Sequence, residues 1–80
     1  MTQEEAQKLY EEYKPFYEER QIRNLKNEDW YFINSVDVVH RAPFNDTSWG
    51  VAVTAIKEGK VLVFDIETAI RCFGKSTENN

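Results

Sequence analysis

In "WGVAVTAIKEGKVLVFDIETAIRCFG" (Trp49–Gly74) the apolar spacing changes from every second residue to every third or fourth, and that change sets the fold class. Trp49–Ile56 reads as a strand, "KEGK" supplies a turn with Gly59 available for a positive φ, and Val61–Phe64 returns as the next strand. Pairing Lys57 with Lys60 around Glu58-Gly59 puts Val51, Val53 and Ala55 on one face with Leu62, Phe64 and Ile66. A register one residue different scatters those side chains over both faces, so the first register is the expected one. From Ile66 the period is helical. Ile66, Ala69, Ile70 and Phe73 recur at i, i+3, i+4 and i+7, with Asp65 as a natural cap and Gly74 as a stop, which predicts a helix over 66–73.

Upstream, "WYFINSVDVVHR" (Trp30–Arg41) is dense in aromatic and β-branched residues and bounded by turn formers. It reads as the first strand of a three-stranded antiparallel meander, 30–41, 49–56 and 61–64. "WYFI" sets large apolar groups on both faces of that strand, and Ala52, Ile56, Val61 and Val63 give the second face an apolar share too. Either two helices cover opposite faces or another chain buries one of them. Both a bound protein partner and a homodimer through a sheet face become reasonable expectations.

The N-terminal segment is an amphipathic helix, about 3–20. Thr2 followed by Glu5 fits a capping box, and Ala6, Leu9, Tyr10, Tyr13, Phe16 and Tyr17 form one stripe at about 100° per residue. Pro15 lies on the outer face, where its missing N–H predicts a kink that curves the helix over a core. The helix is read as ending near 20–26, with Arg20, Arg23 and Lys26 as cations beside its last carbonyls and "KNED" as a turn.

Eighty residues make a single α+β domain, 1–80, and eleven aromatics (two Trp, four Tyr, five Phe) supply a dense core. Met1 and the 75–80 tail read as frayed. The net charge of −4 belongs to one segment: residues 2–19 carry six Glu against Lys8 and Lys14, whereas the remainder balances. The Glu4/Glu5, Glu11/Glu12 and Glu18/Glu19 pairs repeat every seven residues, opposite the apolar stripe. A mimic of nucleic-acid phosphates needs closer acids, since two helical turns span about 10.5 Å. A solvated face with a Glu4–Lys8 ion pair is the expected meaning.

The chemistry available is sparse. Cys72 and His40 are the only thiol and imidazole, so neither a disulfide nor a cysteine- or histidine-rich metal set can be assembled. Their spacing does not predict a Cys–His pair, and the three glycines stand apart from any phosphate-binding loop pattern. Asp37 reads as an outward strand residue. No catalytic residue, cofactor or metal is expected, and the function expected is not enzymatic. There is no charged-then-apolar leader and no apolar run near 18 residues, which points to a cytoplasmic, reducing location without membrane contact.

Three strands followed by a helix is an arrangement some DNA-binding domains use, and a small transcriptional regulator is the alternative reading. The strand cores "WGVAVTAI" and "VLVF" lack cations, however, and a pI near 4.9 opposes the electrostatic attraction to phosphates, which disfavours direct nucleic-acid binding. The longest irregular connection, "RAPFNDTSWG" (Arg41–Gly50), flanks a polar loop with Phe44 and Trp49. Trp49 is read as opening the core face of its strand. Phe44 either folds back or presents outward, because Pro43 fixes how the loop begins but not where the ring points. The expected function is protein binding, in concrete form a phage or mobile-element inhibitor of a host defence nuclease (anti-CRISPR-like). The expected contacts are Phe44, Asn45, Asp46 and Trp49 in the loop, Lys57 and Lys60 at the hairpin, and Glu11, Glu12, Glu18 and Glu19 on the helix.

Overall fold

The computed structural model describes residues 1–41 and 47–74; the expected loop contacts Phe44, Asn45 and Asp46 and the 75–80 tail lie outside the described residues. The order is α1 (Gln3–Tyr17), β1 (Arg20–Arg23), β2 (Trp30–His40), β3 (Trp49–Lys57), β4 (Lys60–Asp65) and α2 (Ile66–Phe73). The four strands form one antiparallel sheet in the order β1-β2-β3-β4. The three-stranded expectation was one strand short.

α1 begins as the sequence indicates. The Thr2 hydroxyl accepts from the Glu5 amide at 3.2 Å, and the Thr2 amide donates to the Glu5 carboxylate at 2.8 Å. The Thr2 amide bond to the carboxylate, and after it the Thr2 side chain, hold the Glu5 carboxyl below its ordinary range. The helix tolerates Pro15 on its exposed side and stops at Tyr17, short of the expected 20. Its ion pair is Lys14–Glu18 (3.7 Å), not Glu4–Lys8.

Residues 20–26 are the main correction. Glu18 is extended, Glu19 turns the chain with φ 58°, and the Glu19 amide donates to the Ile33 carbonyl at 2.7 Å. The chain is thereby laid against β2 as β1, with Ile22 buried opposite Tyr31. Arg20 and Arg23 are strand residues, so they do not complement helix carbonyls; Arg23 pairs with Glu28 at 2.9 Å. The β1–β2 connection is organised by buried Asn24, whose side-chain oxygen accepts from the amides of Lys26 (2.8 Å) and Asn27 (3.4 Å), a local pattern typical of Asn in turns. The Leu25 amide then donates to the Cys72 carbonyl at 2.7 Å, tying this turn to α2.

Lys57 pairs with Lys60, Ala55 with Leu62 and Val53 with Phe64, as the apolar alternation requires. β2 contains an irregularity between Ile33 and Ser35. The extra residue, Asn34, shifts the inward parity from Tyr31 and Ile33 to Val36 and Val38, so all four apolar side chains face the core. Both helices pack on this one face. Tyr17 from α1 and Phe73 from α2 meet edge to face at 6.4 Å, and Phe73 also meets Tyr31 (5.5 Å) and Phe64 (5.4 Å). The Tyr17 hydroxyl donates to the Gly74 carbonyl, where Gly74 ends α2 with φ 69°. Asp65 precedes α2 but makes no side-chain capping bond; its carboxylate is held by Arg41. Met1, expected to be frayed, lies beside β3: its ammonium donates to the Thr47 carbonyl (2.9 Å), and its carbonyl accepts from the Trp49 amide (3.1 Å).

Candidate binding surface

With both helices on one side, the other side of the sheet carries the side chains that alternation directs away from the core. Cross-strand pairing sets them in rows. Arg23 lies opposite Trp30, and Gln21, Phe32, Ile56 and Val61 run across all four strands. Ser35, Thr54 and Val63 follow, then Asp37, Ala52 and Asp65. Trp30 is 59% exposed, Phe32 36%, Val61 64% and Val63 66%. Together these four present roughly 350 Å² of apolar side chain, counting an aromatic side chain at 150–250 Å², which is as large as the biggest patch on a typical monomer.

Charges border the patch without entering it. At one end Arg23 is paired with Glu28. At the other the Arg41 guanidinium crosses over Gly50 to Asp65, which occupies that cation and leaves the centre neutral. Beyond this end a cleft of about 350 Å³ opens between Met1, Arg41, Thr47, Trp49 and Glu67.

The site residues expected from sequence do not converge. Trp49 is half-buried and stacked on His40 (4.1 Å, 5° between planes), against the core, so it opens the core face of β3 as read. Lys57 is engaged: it pairs with Asp29 at 2.7 Å and lies 5.6 Å above the Tyr31 ring. The Asp29 bond, foremost, raises its pKa. Lys60 is exposed at the hairpin, while Glu11, Glu12 and Glu19 are exposed on or just after α1 and Glu18 is half-buried beside Lys14. The helix acids, the Trp49 end of the sheet and the hairpin end are three separate regions.

His40 and Cys72 are likewise kept apart. His40 ends β2, whereas Cys72 is buried beside Phe73, whose ring packs on Tyr31 near the start of β2; nine residues of strand span about 30 Å. Among the described residues, no group of three or more His, Cys, Asp or Glu could hold a metal ion, and no helix is long and apolar enough to cross a membrane. The expected site residues did not include Trp30, Phe32, Ile56, Val61 and Val63. Their signal was present in the doubly apolar strands, and what the alternation could not decide was which face the helices take. No protein family, curated protein or solved structure matches this chain.

Proposed function

We propose that this is a non-enzymatic protein-binding domain that docks its partner on the open face of the sheet, around Trp30, Phe32, Ile56 and Val63. The observation that carries this is the concentration of exposed apolar groups on the face that neither helix covers. Phe32 in the row that crosses all four strands, with Trp30 beside it and charges at the two ends, resembles the anatomy of interface hot spots. The narrower form, a phage or mobile-element inhibitor of a host defence nuclease, draws support from the acidic pI near 4.9 and the exposed glutamates of α1. Groove reading of DNA by the sheet draws none, because the two arginines bordering the face are already paired with carboxylates.

The test is affinity capture from nuclease-treated lysate of the source cell, comparing the wild type with Trp30→Asp. One stoichiometric protein held by the wild type and lost by the folded variant supports the proposal. Capture that disappears with nuclease, or that Trp30→Asp leaves unchanged, refutes it.

A further inference from the structure

The two edges of the sheet are built differently. β1 is four residues long, carries Arg20 and Arg23, and follows a left-handed residue at Glu19; charge and shortness both discourage strand addition. β4 has no such guard. Val61, Leu62 and Val63 are consecutive exposed apolar residues, with no charge, proline or bulge among them. α2 follows directly but packs on the core face, leaving the edge open among the described residues.

The hairpin determines which backbone groups that edge offers. Glu58 (φ 51°) and Gly59 (φ 79°) form a two-residue turn closed by the Lys57–Lys60 pair. The pair closing such a turn exchanges hydrogen bonds, so Lys60, Leu62 and Phe64 turn their N–H and C=O groups toward β3. Val61 and Val63 turn theirs outward.

We propose that β4 is a dimerisation edge, at which two copies of this chain pair antiparallel into one eight-stranded sheet. A two-fold axis at Leu62 sets Val61 opposite Val63 of the second copy and Leu62 opposite Leu62. Every side chain in that ladder meets an apolar one, and the outward groups of both valines in both copies form four hydrogen bonds between chains. The charges also agree. Antiparallel pairing brings the Lys57/Lys60 end of one copy to the Asp65 end of the other, whereas parallel pairing sets like beside like. The register keeps Val61 and Val63 on the open face, so the row through Phe32, Ile56 and Val61 runs on into the Val63, Thr54 and Ser35 row of the second copy. The proposal rests on edge backbone and charge order, independently of what docks on the face.

Sedimentation equilibrium from about 1 μM to 1 mM tests it. The expected results are a monomer–dimer equilibrium and at least tenfold weaker association of the Val61→Lys/Val63→Lys double variant, in which lysines face lysines. A Leu62→Cys variant should form an interchain disulfide on mild oxidation, because non-hydrogen-bonded partners sit about 4.5 Å apart at Cα. The wild type, with only the buried Cys72, should not. Circular dichroism checks that the lysine variant is folded; if it is not, the Leu62→Cys result decides alone. A monomer at every concentration, a dimer indifferent to the two lysines, or a dimeric Leu62→Cys sample without crosslinking each overturns the proposal. Trp30→Asp should leave the dimer intact, which separates this outcome from failure of the docking face.

Discussion

The Tyr17→Phe substitution tests how the two helices are held together. Tyr17 is fully buried, with its ring stacked on Tyr13 at 5.6 Å and edge-on to Phe73, and its hydroxyl donates to the carbonyl of the residue that ends α2. Phe keeps the ring and removes the donor, leaving a partly buried carbonyl short of a partner, at a cost of about 1–2 kcal/mol. Tyr17→Ala also empties the ring's volume and should cost about 3–5 kcal/mol. Against the 4–12 kcal/mol of stability usual for roughly 80 residues, the second loss is a large fraction of the total. Urea unfolding followed by tryptophan fluorescence measures both. With a slope near 1 kcal/mol/M, Tyr17→Phe should lower the midpoint by about 1–2 M, with the slope unchanged. A shift of only about 0.2 M or less would mean that the hydroxyl does not hold the end of α2, and the account of how α1 and α2 are joined would fail.

Other outcomes follow from single features. Glu58→Asn should stabilise the hairpin by about 0.5 kcal/mol, measured as a rise in Tm, because Asn adopts the positive φ of this turn more readily than Glu. Arg41→Ala should cost about 0–1 kcal/mol in urea unfolding, and less in high salt, because the Arg41–Asp65 pair is exposed. The Glu5 carboxyl is depressed from 4.5, so its stabilising effect is present above that pH and is lost as pH falls through the folded value. Acid titration of thermal stability should therefore show a steeper loss for the wild type than for Thr2→Ala, which lacks the hydroxyl partner. Trp30→Asp should leave Tm nearly unchanged, since most of that side chain is already in water.

The β3–β4–α2 half was legible because it obeys one rule per element: alternation, a Gly-containing two-residue turn, then a four-position helical stripe closed by Gly74. β1 was not. "RQIR" offers a single apolar residue, too little for a period, and its extended state is imposed by the reversal at Glu19 and by pairing with Trp30–Ile33. The same polar composition made its arginines look like a helix terminus. In β2 the inserted Asn34 lets Tyr31 and Ile33 share a face with Val36 and Val38, a parity change that a strict two-residue count misses. The binding surface was half legible. Its apolar residues stood out, but both sheet faces were apolar, and only the meeting of Tyr17 with Phe73 under one of them leaves the other bare.

The placement of Cys72 gives the molecule an internal clock. The sole thiol is buried on the packed side of α2, one residue before the ring that contacts Tyr17, Tyr31 and Phe64. A thiol reagent added to the native protein reacts slowly while α2 stays seated and freely once it lifts, so the ratio of native to unfolded labelling rates reports the free energy of that opening. Repeating the measurement across denaturant concentrations separates a local release of α2, which hardly depends on denaturant, from global unfolding, which follows the full slope.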